Sequence, residues 1–183
     1  MKLNYSNFDR ELNKNKLFYN KSKIAVAVSG GADSMTLAHL LSRWAIKKNY
    51  KLIALIIDHK LRKESKEEAN DVSKYLSKLK IKNKIIEIKN IDIFSNIQAK
   101  ARKHRYEKLY NYCKKNKIFH LFLGHHLDDN IETFILRKVA GSNIEGLNSI
   151  KTISLYNDIL VLRPLLRFSK KNILEYAERN NLK

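Results

Sequence analysis

The sequence predicts a doubly wound α/β fold, a mostly parallel sheet with helices on both faces. Two observations predict it. Short runs of Val, Ile and Leu recur along the chain, as in strands buried on both sides, and stretches of helical periodicity separate them, as in successive βαβ units. Right-handed crossovers then distribute the helices over the two faces.

Residues 1–22 are a polar, Asn- and Lys-rich lead-in, expected to hold one helix that packs Leu12, Leu17 and Phe18 on the domain formed by 23–183. The first strand is Lys-Ile-Ala-Val-Ala-Val at 23–28, followed by a helix over 34–47 with Leu37, Ala38, Leu41 and Ala45 on one face. A strand at 52–58 leads to a helix over 65–80 with Ala69, Val72, Leu76 and Leu79 inward. The third strand, 84–89, alternates more and is expected toward an edge. The helix over 97–116 turns Tyr106, Leu109, Tyr110 and Cys113 inward. After a strand at 119–124, a further helix begins beyond His126 with Ile131, Phe134 and Ile135 on its inner face. Pro164, the one proline, marks a break within 161–166 before a last helix at 169–180.

The chain has 183 residues, 37 of them Lys or Arg against 18 Asp or Glu, for a formal net charge of +19. With 44% hydrophobic and 30% charged residues, the balance is globular. No stretch approaches the ~20 apolar residues of a membrane span, and no apolar run marks a signal peptide, so a soluble, cytoplasmic protein is expected. A single cysteine, Cys113, excludes a disulfide framework and a cysteine-built zinc or iron–sulfur site. The positive charge suits RNA. Lys, Asn and Ile are all abundant, however, as A/T-rich codons would make them, so charge alone assigns no partner. Ending at the close of a helix, the chain reads as a piece of a longer protein.

Chemistry gathers first at Ser29-Gly30-Gly31-Ala32-Asp33-Ser34, between the first strand and its helix. Ligands of doubly wound sheets bind beyond the carboxyl ends of the strands. Two glycines let the backbone approach an anion, and a helix N-terminus offers free N–H groups and a positive dipole end. Ser29 and Ser34 add hydroxyls, and Asp33 a carboxylate suited to Mg²⁺. Neither G-x-x-x-x-G-K-[ST] nor G-x-G-x-x-G is present, so no lysine of the loop reaches terminal phosphates. The alternative is an ordinary tight turn with Ser34 capping the helix.

The segment Ser29–Met35 resembles the pyrophosphate loop of the N-type ATP pyrophosphatases, the PP-loop superfamily. Three more segments narrow the likeness: Asp58-His59-Lys60-Leu61-Arg62 with Ser65 and Glu68-Ala69; Gln98-Ala99 with Ala101-Arg102 and Arg105-Tyr106; and Gly124-His125-His126-Leu127-Asp128-Asp129-Asn130 with Glu132-Thr133. In order and spacing they resemble the N-terminal domain of the tRNA(Ile)-lysidine synthases, as does Arg163-Pro164-Leu165-Leu166. Asn130 stands where that family usually has Gln, and Ala140 precedes Gly141-Ser142-Asn143 where it tends to have Arg. The family also continues into further tRNA-binding domains.

The resemblance implies ATP and Mg²⁺ as cofactors, and as partners free lysine and the tRNA(Ile) whose anticodon is CAU. It implies a ligase reaction in which the wobble cytidine is adenylated at its C2 oxygen, with release of pyrophosphate, and lysine then displaces AMP. Ser29, Gly30, Gly31, Ala32, Asp33 and Ser34 would bind ATP, with Asp33 the metal-holding residue. Arg102 and Arg105, at i and i+3, share one helical face and can serve one phosphate; Arg105 is the choice for charge stabilisation at the α phosphate. His125, Asp128 and Asp129 complete the catalytic candidates, one of each adjacent pair at 125–126 and 128–129 being expected to cap or pack the next helix. His59, Arg62, Gln98 and Asn130 fall to the tRNA or another substrate. A homodimer is left open. Two other classes fit some of these residues: a two-metal phosphoesterase using Asp58, His59, His125, His126, Asp128 and Asp129, and a non-catalytic ATP-binding module.

Overall fold

A computed structural model describes residues 1–14, 18, 22–58, 60, 64–88, 97–141 and 150–182, with 97–101 as backbone. Among the described residues, six strands form one sheet: β1 (Lys23–Val28), β2 (Lys51–Asp58), β3 (Asn83–Glu87), β4 (His120–Phe122), β5 (Ile153–Tyr156) and β6 (Ile159–Leu162). Their order is β3-β2-β1-β4-β6-β5. All neighbours pair in parallel except β5, which runs antiparallel along β6 at one edge. β3 forms the other edge, as its alternation led one to expect. The helices are α1 (Tyr5–Asn13), α2 (Ala32–Lys48), α3 (Ser65–Lys78), α4 (Ile97–Lys115), α5 (Leu127–Val139) and α6 (Lys170–Arg179).

Strand residues divide by parity between two apolar layers, which is why β1 reads as an unbroken run. Ile24, Val26 and Val28 face one layer with Ala54 and Ile56, covered by residues of α1, α2, α3 and α6. Ala25, Leu55, Leu121 and Leu123 face the other, where Leu109 and Cys113 of α4 meet them. Cys113 is a packing residue: it is fully buried, and burial pushes its thiol up to about 12. The lead-in supplies α1, capped by Asn4 and seated by Leu3, Phe8 and Leu12; Trp44 Nε1 donates to Asp9 Oδ1 at 3.0 Å, joining α1 to α2. Phe18 packs edge-on against Trp44, and Leu17 lies outside the described residues.

Two expectations need correction. The segment before Pro164 is a hairpin rather than a simple break. Asn157 and Asp158, at φ 43° and 66°, turn β5 into β6 in two residues, a loop for which Asn and Asp are the usual non-glycine choices. The apolar face of α5 also does not point inward: Ile131, Phe134 and Ile135 are exposed, and no residue of α5 is buried. Helical periodicity reports that an apolar face exists, not that the fold covers it.

Candidate active site

The carboxyl ends of β1, β2 and β4 open onto a cavity of about 410 Å³, lined by Ser29, Asp33, Ser34, Ser65, Glu68, Arg105, Tyr106, Gly124 and His125. Its floor is the loop leaving β1. Gly30 has φ +90°, and a Cβ there would stand 2.6 Å from Val72 Cγ2, so both conformation and space demand glycine. The helix cap is Gly31, not Ser34: Gly31 is extended and gives no side-chain cap. Ser34, one turn in, donates its hydroxyl to Gly31 O at 2.9 Å and accepts the Ser29 N–H at 3.1 Å. The loop is thus braced by its own serines, while the first-turn N–H groups of α2 have no side chain capping them.

Gly124 brings the second wall close. A Cβ there would lie 3.2 Å from Ser34 N and 3.3 Å from Asp33 C, so any larger residue would crowd the chain after β4 against the start of α2. The next residue, His125, is mostly buried, and its Nδ1 has no hydrogen-bond partner among the described residues. Burial, then the charge of Arg163, lowers its pKa to about 4, with Arg102 and Arg105 adding to the effect and Asp129 opposing it. It is a neutral imidazole at physiological pH.

His126 is the N-cap of α5 and forms a reciprocal box with Asp129: its Nδ1 accepts the Asp129 N–H at 3.3 Å, and Asp129 Oδ2 accepts the His126 N–H at 2.9 Å. An accepting Nδ1 places the ring proton on Nε2. That nitrogen faces Asp33 Oδ1 at 3.7 Å and Asp129 Oδ1 at 3.6 Å, so one imidazole stands between carboxylates from two helix starts. Asp128 is half-exposed and accepts the Lys170 N–H at 2.7 Å, serving the start of α6.

The structure therefore brings Ser29, Ser34, Asp33, Arg105 and His125 to one cavity, with the His126 ring standing between Asp33 and Asp129. Arg102 stands outside the lining but shares a partner with Arg105: both guanidiniums lie 5.3 Å from the Tyr106 ring centroid. Asn130 is elsewhere engaged, its Oδ1 accepting the Ile150 N–H at 2.6 Å. His59, Arg62 and the side chain of Gln98 lie outside the described residues. His59 of the two-metal candidate lies outside the described residues; among the described ones Asp58 is buried, accepting from the Lys60 N–H at 2.9 Å and the Ser65 hydroxyl at 2.7 Å, and no group of three His, Cys, Asp or Glu converges on a metal position.

One residue at the site escaped sequence reasoning. Lys170, the first residue of α6, places Nζ 2.6 and 2.7 Å from the two carboxylate oxygens of Asp33. A lysine at the start of a helix, against the dipole, is the one signal that marks it.

Comparison with known proteins identifies the family. A family model described as a PP-loop domain matches residues 4–183. A tRNA(Ile)-lysidine synthase from the Wolbachia of Brugia malayi is 47% identical over 164 residues, 88% of this chain and 38% of that protein. One from Orientia tsutsugamushi is 38% identical over 177 residues, 97% of this chain and 40% of that protein. The chain thus spans about two-fifths of the length of these relatives. Among solved structures, the U34-tRNA thiolase NcsA from Methanococcus maripaludis superposes with a TM-score of 0.84 at 22% identity, covering 98% of this chain and 62% of that one. The NH3-dependent NAD synthetase from Campylobacter jejuni gives 0.59 at 20%, covering 98% and 75%. At such identities the likeness is one of fold.

Proposed function

The chain belongs to the PP-loop family, and from that premise we propose that it is the ATP-using catalytic part of a tRNA(Ile)-lysidine synthase. The observation that carries the reading is the Ser29–Ser34 loop opening on the same cavity as Arg105 and a neutral His125. The curated relatives' names supply the substrate.

In this reading the triphosphate lies along the loop and the start of α2, where backbone N–H groups donate to its oxygens and the serines hold the loop in shape. The wobble cytidine of tRNA(Ile) with a CAU anticodon presents its C2 oxygen to the α phosphorus. The new oxygen–phosphorus bond forms as the bond to the bridging oxygen breaks, and pyrophosphate departs with those electrons. Arg105, on the facing wall, meets the charge that grows on the α phosphate. The ε-amine of lysine then attacks C2 and loses a proton, and AMP leaves with the former C2 oxygen. His125, neutral and desolvated, is suited to hydrogen-bond a base; with its pKa lowered to about 4 it is too weak a base to take that proton, which passes to solvent.

Asp33 fits Mg²⁺: it is a hard oxygen donor whose two oxygens already hold a cation, and Asp129 stands on the other side of His126. When bound there, the ion would neutralise phosphate charge. The lone Cys113, buried and with its thiol held protonated, gives no support to sulfur transfer.

The test is incorporation of labelled lysine into tRNA(Ile) transcript by the 183-residue chain with ATP and Mg²⁺. Label in the tRNA, absent with a transcript whose wobble base is uridine, is expected. Label independent of ATP, or incorporated equally into both transcripts, would overturn the reading.

A further inference from the structure

Asp33 is the second residue of α2, at the end of the phosphate loop, and its two carboxylate oxygens lie 2.6 and 2.7 Å from the ammonium of Lys170, 137 residues further along the chain. We infer that Lys170 is a phosphate-binding residue of the ATP site, supplying from α6 the lysine for the β and γ phosphates that the loop's own sequence lacks. The inference rests on the ATP reading above and deepens it.

Three observations converge. The loop has no lysine of the kind that follows the glycines in other phosphate-binding loops, yet the fold delivers one to the same place. Second, α6 itself has no use for Lys170: a cation in the first turn opposes the helix dipole, and α6 has no acid of its own there. The start of that helix is served instead by Asp128, which accepts the Lys170 N–H at 2.7 Å. Third, the side chain is 38% exposed on a four-carbon stem. An ion pair this open contributes little, whereas a phosphate bearing more than one negative charge offers a stronger, charge-assisted bond. Turning Nζ from Asp33 to the triphosphate therefore costs little. It also releases both Asp33 oxygens when the phosphates arrive.

The test is equilibrium binding of ATP, ADP and AMP, each with Mg²⁺, to the 183-residue chain and to Lys170→Met and Lys170→Arg, read by titration calorimetry. Lys170→Met is expected to weaken ATP about tenfold, the loss of one charge-assisted contact, to weaken ADP in the same direction, and to leave AMP unchanged. Lys170→Arg is expected to retain most of the ATP affinity. ATP binding by Lys170→Met equal to wild type would overturn the proposal, as would an equal loss for AMP, which would mark a structural role. If Lys170→Met does not fold, Lys170→Gln takes its place under the same criteria. Failure of the wild-type chain to bind any of the three would overturn the ATP reading itself, whereas wild-type binding with an indifferent Lys170→Met would remove only Lys170.

Discussion

Gly124 and Ser34 touch through their backbones: a Cβ on Gly124 would lie 3.2 Å from the Ser34 nitrogen. This contact holds the wall carrying His125 against the start of α2. Because the obstructing atoms are backbone, they cannot rotate away. Gly124→Ala is expected to cost about 1–2 kcal/mol of stability, as overpacking does, and to weaken ATP binding several-fold. Thermal melts and nucleotide titration on one preparation check both effects.

Removing Asp33 separates function from folding. Its carboxylate is 27% exposed and paired with a half-exposed Lys170, so the ion pair and its place at the start of α2 together contribute on the order of 1 kcal/mol. Asp33→Ala is expected to lose ATP turnover entirely while its melting temperature falls by only a few degrees. A collapse of the fold in step with activity would identify Asp33 as structural.

Arg105 lines the cavity and Arg102 does not. Arg105→Ala is expected to lower kcat for AMP formation by roughly a hundredfold, the cost of one transition-state donor, with a smaller change in the KM for ATP. Arg102→Ala should have the weaker effect on kcat. Steady-state kinetics of both variants settle the assignment, since an equal loss in ground-state binding would deny Arg105 its role at the transition state.

His125 makes folding stability depend on pH. Its pKa falls from 6.5 unfolded to about 4 folded, so between those values the unfolded chain binds the extra proton. The contribution is whole above pH 6.5 and is lost as pH falls toward 4, to a total of about 3 kcal/mol. His39, lowered chiefly by burial, adds a loss of the same sign. Denaturant titrations at several pH values should therefore show His125→Asn with a shallower acid-side slope than wild type.

How much of this was legible in the sequence follows from what periodicity and spacing encode. Buried parallel strands announce themselves as apolar runs, so β1, β2 and β4 were readable, and Ser29–Ser34 was readable as an anion loop because a strand, two glycines and a helix start suffice. The β5–β6 hairpin is signalled only by Asn157-Asp158, a pair that equally suits an open loop, whereas Pro164 signals no more than a break. The exposed face of α5 was misplaced because an apolar stripe does not name its cover. Lys170 carries only the weak signal of a cation at a helix start: its meaning depends on a contact across 137 positions, which only the packing of α6 beside the loop creates. That adjacent histidines divide their roles was legible from the divergence of neighbouring side chains, and the structure gives the cap to His126 and the cavity to His125.

The bond broken in ATP tests the central claim most directly. The 183-residue chain, supplied with Mg²⁺, lysine and tRNA(Ile) transcript, is given ATP labelled at the α and the γ phosphates, and the products are resolved. AMP and intact pyrophosphate, in equal amounts and dependent on Asp33, are expected. ADP with inorganic phosphate, or ATP left unchanged at saturating tRNA and lysine, would contradict the account.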